Sequence, residues 1–195
     1  MFIKLSRGRT DHLEPVDEFE NSLYAKKFRV LFEGLDTKPV ARFAKMPSFL
    51  LGYAFSVEQK ESAYFIRSNG FRHYTFEAVC EAGARAITIS REIDEDLFYS
   101  IGQLFPLLME QTRHPDNLTL GLDGTTYFFS AFVNDEIKTG HVWEPAYDSP
   151  MGRLADVCAK IFFISRSDLP MDGIKTEIDE LISELRNIGN LPSGE

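Results

Sequence analysis

The sequence predicts an α+β protein: an antiparallel sheet of hairpins and a three-strand meander, with about three helices packed on one face. Three observations support this class. Apolar-rich runs of strand length recur in the first half and again after residue 117, apolar residues recur at helical spacing in three later stretches, and Gly-containing turn pairs separate neighbouring runs. Strands that come in groups, rather than alternating singly with helices, are typical of α+β folds.

The chain is predicted to form one main domain. Residues 1–25 mix basic and acidic side chains without a sustained period, which predicts an irregular N-terminal arm. A single α+β domain is expected over 26–190, with a possible subdomain break near residue 91, and 191–195 form a tail.

Strand-like runs occupy the first half of that domain. They are FRVLFEG from Phe28, then FLLGYAFSV, then AYFIRSNG and its continuation, and finally ARAITIS. Asn69-Gly70 lies between two apolar-rich runs, and Asn-Gly is a strong hairpin signal because a type I′ turn needs positive φ at both central residues. A hairpin is therefore predicted at residues 69 and 70.

After these runs, the spacing of the apolar residues changes from that of a strand to that of a helix. Apolar residues recur every three or four positions from Ile93 to Leu108, and three carboxylates at 94–96 occupy the first turn, where the helix dipole favours negative charge. Pro106 lies inside this run, removes a backbone donor and crowds the preceding turn. A helix with a kink or break at Pro106 is predicted.

The predicted meander follows, as NLTLGL, TTYFFSAFV and IKTGHVW. Asp123-Gly124 separates the first two runs as a predicted tight hairpin, and a polar turn at 134–136 separates the last two. In TTYFFSAFV, apolar residues occupy both the odd and the even positions and so point to both faces of the sheet. This is typical of a central strand covered on both faces.

Two helices are predicted to complete the chain. Ser149 is a good N-cap and Pro150 suits the first helical position, where a missing N–H costs nothing. After a Ser-Asp-Leu-Pro loop, apolar residues from Ile174 to Ile188 follow helical spacing, with an acidic outer face. Gly189 is expected to end this helix.

The charge of the chain is concentrated in its second half. The net charge is −9. Residues 1–90 carry 13 Lys+Arg and 11 Asp+Glu, giving +2, and residues 91–195 carry 8 and 19, giving −11. A field of this sign repels nucleic-acid phosphates and anionic lipid and attracts basic proteins, although it also fits a face that only keeps the protein soluble.

Most chemical site classes lack a signature in this sequence. The four histidines show no metal-ligand spacing, no phosphate-binding glycine loop is present, and no nucleophile motif such as GxSxG occurs. Cys80 and Cys158 are far apart, which favours a reducing cytoplasm. We therefore expect no metal site, no cofactor, no nucleic-acid partner and no membrane association.

The stretch 140–157 collects the rare residues of the chain, including its single tryptophan. His141, Glu144 and Asp148 form a candidate acid/base set, because a histidine near carboxylates titrates close to neutral pH. This set would define an alternative function, a hydrolase-like enzyme with an unfamiliar site. No nucleophile, metal ligand or oxyanion donor accompanies it, so no catalytic residue is predicted under the leading hypothesis.

The same stretch is explained structurally as a strand-to-helix corner, in which Trp143 covers the core and Ser149 begins a helix. What remains is a candidate contact patch. Exposed aromatic residues flanked by carboxylates are typical of contact sites for basic partners. The candidate partner-binding residues, drawn from this corner and from the acidic face of the last helix, are Trp143, Tyr147, Glu177, Glu180 and Glu184.

The leading functional hypothesis is a small acidic cytoplasmic protein-binding module. Carboxylates both steer association with a basic protein and block cationic active sites. The profile of modest size, negative charge and no catalytic motif fits an inhibitor or an immunity-type protein that neutralises a basic partner. The sequence leaves the oligomeric state open.

Overall fold

The computed structural model describes residues 12–16, 23–50, 52–71, 85–114 and 123–189. Within these ranges its strands are β1 (Glu14–Pro15), β2 (Ala41–Pro47), β3 (Tyr53–Lys60), β4 (Ala63–Gly70), β5 (Ile87–Ile93), β6 (Thr125–Val133) and β7 (Glu136–Trp143). The helices in the same ranges are α1 (Leu23–Leu31), α2 (Glu95–Glu110), α3 (Pro150–Ser165) and α4 (Ile174–Gly189).

The strands form one antiparallel sheet of seven strands in the order β1-β7-β6-β2-β3-β4-β5. Strands β2 to β5 follow one another as a meander, and β6 and β7 form a hairpin. The two groups join where β2 pairs with β6, with Phe43 opposite Phe129. Both edges of β6 are thus paired, as its apolar sequence predicts. The strand predicted at 117–122 lies outside the described residues.

Three helices cover one face of this sheet, which we call the helix face. Phe43, Phe55 and Phe129 point to it from three adjacent strands and belong to one buried apolar cluster. Residues of α2, α3 and α4, such as Ile101, complete that cluster. The predicted α+β class, with three helices on one face of an antiparallel sheet, is confirmed.

The opposite face, which we call the α1 face, carries the fourth described helix. Phe28 and Leu31 of α1 pack with Ala44, Ala54 and Phe128 in a second, smaller apolar cluster. The prediction that FRVLFEG forms a strand is wrong, because this segment is largely α1 and the turn after it. The four apolar residues of this segment are compatible with either a strand or a helix. Ala25, Phe28 and Leu31 are spaced as on one face of a helix and are all buried, which explains why the segment is helical.

The predicted hairpin at Asn69-Gly70 is also wrong. Both residues end β4, where Asn69 lies opposite Ala54 on one side and Thr88 on the other. The Asn69 side-chain amide donates to the carbonyls of Leu31 (2.8 Å) and Glu33 (3.0 Å), so it anchors the end of α1 to the sheet. Asn69 therefore makes a tertiary contact and does not form a turn.

The tight turns of the sheet use other residues. Glu61, with φ of 55°, turns β3 into β4. Asn134 and Asp135, with φ of 53° and 65°, turn β6 into β7, as the polar turn at 134–136 predicts. Asparagine and aspartate are the non-glycine residues that best tolerate this left-handed conformation.

Helix α2 begins as predicted and is not broken. Asp94 is its N-cap and accepts a hydrogen bond of 2.7 Å from the Leu97 N–H. The helix runs through Pro106 to Glu110, so the predicted break does not occur. Phe105 and Leu108 on either side of the proline are buried in the main core, and this packing outweighs the missing backbone bond.

Part of the predicted N-terminal arm 1–25 joins the sheet. Residues Glu14 and Pro15 form β1, which pairs with β7 opposite His141 and Gly140. Leu13 is buried beside them, and the first three residues of α1 also fall within this range. The tail 191–195 lies outside the described residues.

A buried carboxylate fastens the segment after α1 to the α1 face. Glu58 of β3 is buried and accepts hydrogen bonds from the Asp36 N–H (2.8 Å), from the Ser56 hydroxyl and from Arg67 (3.3 Å). Each carboxylate oxygen therefore has a donor, as a buried charge requires.

We expect Gly52→Ala to destabilise the fold much more than Gly34→Ala. Both glycines have a left-handed φ, of 66° and 76°, so alanine costs roughly 1–2 kcal/mol at either position. At Gly52 a Cβ would lie 1.8 Å from the Lys45 carbonyl oxygen, whereas at Gly34 it meets nothing within 4 Å. Urea unfolding should show a loss at least about 2 kcal/mol larger for Gly52→Ala. Equal losses would contradict the close approach of the β2–β3 turn to its own strand.

Candidate functional site

An acidic groove lies between α3 and α4, beside the corner that follows β7. Its volume is about 270 Å³. We call it the α3–α4 groove. Its lining residues are Tyr147, Asp148, Arg153, Asp156, Val157, Lys160, Glu177, Glu180 and Leu181. They come from three separate segments of the chain.

The start of α3 fixes one wall of the groove. Ser149 caps the helix, because its hydroxyl accepts a 3.0 Å hydrogen bond from the Gly152 N–H and donates one of 2.6 Å to the Ala146 carbonyl. The predicted N-cap at Ser149, with Pro150 in the first turn, is confirmed. These bonds hold the short loop that carries Tyr147 and Asp148.

A glycine makes this corner possible. A Cβ at Gly152 would lie 2.0 Å from the Ala146 carbonyl oxygen and 2.9 Å from that of Tyr147. The loop therefore packs directly on the backbone of the first helical turn. No other residue type allows so close an approach.

The floor of the groove is apolar and its rim is charged. Val157 of α3 and Leu181 of α4 are buried between the two helices. The charged side chains stand above this contact because each helix turns its apolar stripe inwards. Four carboxylates and two cations line the rim, a net charge of −2 for the lining residues.

Lys160 links the two helices across the groove. Its ammonium lies 2.7 Å from Glu177 of α4 and 3.0 Å from Asp156, which is four residues earlier on α3. The hydrogen bond to Glu177, and then that to Asp156, raises the pKa of Lys160 above its ordinary value of 10.5. The lysine is therefore charged at neutral pH and neutralises part of the rim.

A second ion pair closes one end of the groove. Arg153 of α3 pairs with Glu184 of α4. By contrast, neither Asp148 nor Glu180 forms a salt bridge with any residue that the structure describes. These two carboxylates are the part of the rim that remains available to a cation from outside.

The structure brings four of the five predicted partner-binding residues to this groove. Tyr147, 84% exposed, Glu177 and Glu180 line it, and Glu184 lies at its end through the Arg153 pair. Trp143 is not a lining residue. Its side chain lies on the α1 face of β7, and its indole is packed against Gly124 at the start of β6.

The candidate acid/base residues lie in different surroundings. His141 is on the α1 face of β7, where its Nε2 lies 3.9 Å from Glu14 and its ring stacks on Phe128. The Glu144 carboxylate accepts a 2.6 Å hydrogen bond from the Thr125 N–H. Asp148 lines the α3–α4 groove, which neither His141 nor Glu144 does.

Cys158 offers no reactive group. It is buried on α3, and burial raises the pKa of its thiol, so the thiol stays protonated. Cys80 lies outside the described residues. Within the described ranges, no group of three or more His, Cys, Asp or Glu residues is placed to hold a metal ion.

Sequence reasoning missed an exposed apolar loop at 48–50. Phe49 is 73% exposed and Leu50 43%. The buried Lys27 ammonium of α1 donates to the carbonyls of Pro47 and Ser48, each at 3.3 Å, and so holds this loop from beneath. The sequence signal is the apolar start of the predicted strand FLLGYAFSV, whose Phe49 and Leu50 lie before β3 rather than in it.

Comparison of the chain with known proteins finds no matching family model, no similar curated sequence and no similar solved structure. Among the described helices, none combines the length and apolar character that a membrane span requires. The site must therefore be interpreted from its own geometry and charge.

We expect Glu177→Gln to lower the pKa of Lys160 towards 10.5, because it removes the charge that accepts the shorter of the two bonds. The raised pKa means that the pair contributes stability below pH 10.5, and that this contribution disappears as the pH rises through the folded pKa. A carbon-detected NMR titration of the lysine Cε measures the midpoint. Glu180→Gln is the matched control, since Glu180 lines the groove without bonding Lys160, and a shift of equal size there would contradict the assignment.

Proposed function

We propose that this protein is a protein-binding module that takes a basic segment of a partner protein in the α3–α4 groove. The observation that carries the proposal is the convergence of carboxylates from the 144–149 corner, from α3 and from α4 on one groove. They are separated by up to 32 positions, from Asp148 to Glu180. The chain around them is itself acidic, with a net charge of −9.

The electrostatics of the groove suit a cationic side chain. Asp148 and Glu180 have no salt bridge to a described residue, while Lys160 is already held by Asp156 and Glu177. An incoming arginine or lysine can thus bind free carboxylates without first breaking the link between the helices. Complementary charge of this kind speeds association and selects basic partners.

Tyr147 supplies the apolar part of such a contact. It is 84% exposed at the edge of the groove and stands beside Asp148 on a loop that the Ser149 hydroxyl anchors through the Ala146 carbonyl. Tyrosine is enriched among residues that dominate binding energy, and a rigid loop lowers the entropy lost on binding. A guanidinium can also stack on its ring.

An inhibitory role, as in immunity-type proteins, is the specific form of binding that we favour. A basic active or nucleic-acid-binding site on a partner would be both attracted and covered by this acidic surface. Binding in the cytoplasm is consistent with the two distant cysteines of the chain. The acid/base alternative gains no support from the placement of His141, Glu144 and Asp148.

The test is a double charge reversal that distinguishes the groove from the overall field. Each Asp or Glu to Lys change adds +2, so D148K/E180K and the control E33K/E136K both change the net charge from −9 to −5. The control glutamates are exposed and do not line the groove. The probe is a short peptide of alternating arginine and glycine, titrated by NMR at low and moderate salt.

We expect D148K/E180K to weaken peptide binding at least about tenfold, that is by about 1.4 kcal/mol, and the control to weaken it far less. Backbone shifts should centre on residues 147–160 and 177–181, and affinity should fall as salt screens the charges. Equal losses in the two variants would mean that only the overall charge attracts the peptide, and the groove would then have no special role.

A further inference from the structure

The two edges of the sheet differ in how well they are protected against pairing with a further strand. At one edge, β1 is two residues long and contains Pro15, and the part of β7 beyond it carries Glu136 and Lys138, which pair at 3.6 Å. Short strands, proline and edge charges all prevent further pairing. At the other edge, β5 has seven residues and pairs with β4 alone among the described strands.

The outer edge of β5 exposes apolar side chains. Ile87 and Ile89 are each 37% exposed, and both lie on the helix face of β5. The strand, ITISREI, contains no proline, glycine or lysine. β-Branched residues suit strand pairing, and the backbone groups of an edge strand form a template for another strand.

The one cation of β5 does not protect this edge. The Arg91 guanidinium donates to the carbonyls of Ile164 (2.6 Å) and Ser167 (2.9 Å) at the end of α3. It is thus held over the helix face. The loop that Arg91 holds continues to Leu169, which is 62% exposed.

We propose that β5 pairs antiparallel with β5 of a second copy of this chain, about a two-fold axis, and joins two sheets into one. The favoured register places Ile89 opposite Ile89 of the second copy and Ile87 opposite the stem of Arg91. This register buries both exposed isoleucines. A register centred on Arg91 would instead oppose two guanidinium groups, which destabilises a cross-strand pair.

The distribution of charge favours a second copy at this edge. β5 carries one Arg and one Glu, and Arg166 donates to the Ile87 carbonyl at 3.0 Å, so two copies of a chain with a net charge of −9 meet here at a surface without excess negative charge. Since the opposite edge is protected, the pairing closes at two copies and does not extend into a filament. No residue of β5 lines the α3–α4 groove, so this inference is independent of the proposed function.

The first experiment measures mass in solution. Sedimentation of the full chain across the micromolar range should give about twice 22.2 kDa. Ile89→Arg places two like charges opposite each other and should weaken the dimer at least about tenfold. Ile137→Arg is the matched control, since Ile137 is a strand isoleucine 42% exposed on β7, and it should leave the dimer intact.

A second experiment tests the register and does not depend on the stability of the arginine variant. In the proposed pairing the two residues at position 89 have Cα atoms about 4.5–5.5 Å apart, within disulfide range. Mild oxidation of Ile89→Cys should therefore give a covalent dimer that the wild-type chain and Ile137→Cys do not give. A wild-type chain of 22.2 kDa at all concentrations, loss of the dimer only in Ile137→Arg, or no cross-link at position 89 would each overturn the proposal.

Discussion

The packing of Phe43 at the centre of the sheet is the contact on which the rest of the fold depends. Its ring centroid lies 5.4 Å from that of Phe55 on β3 and 5.3 Å from that of Phe129 on β6. β2 is the strand that joins the meander β2–β5 to the hairpin β6–β7. Because a shift of one residue would turn every side chain of a strand to the other face, these three rings fix which face the helices must cover.

The α3–α4 groove results from the way the helices cover this face. α3 packs on the helix face with its apolar stripe, and α4 packs against α3 through Val157 and Leu181. Two amphipathic helices that bury their apolar sides together leave their charged sides along a shared rim. The Ser149 cap then places Tyr147 and Asp148 at the same rim. The packing of α3 and α4 therefore produces both part of the core and the charged rim of the groove.

Local sequence signals predicted the elements whose causes are local. The cap at Ser149 depends on a side chain and a backbone donor three residues on, so it can be recognised directly. Asp94 caps α2 by the same contact, although the charge pattern predicts it only as a first-turn carboxylate. Asn69 could not be assigned in this way. Its turn-like dipeptide is placed in a strand by hydrogen bonds to Leu31 and Glu33, which are distant in sequence. The helical state of Phe28 is decided in the same way, by contact with Phe128.

The α+β class, the acidity of the second half and the acidic outer face of α4 could all be predicted from the sequence, because periodicity and charge are properties of neighbouring residues. The tertiary structure is needed to show that Glu177 and Glu180 face Asp148 across a groove, that His141 lies instead beside Glu14, and that β5 is the outermost of the described strands on its side of the sheet. These facts depend on which distant segments are adjacent. Strand order and helix packing set that adjacency, and no local pattern encodes it.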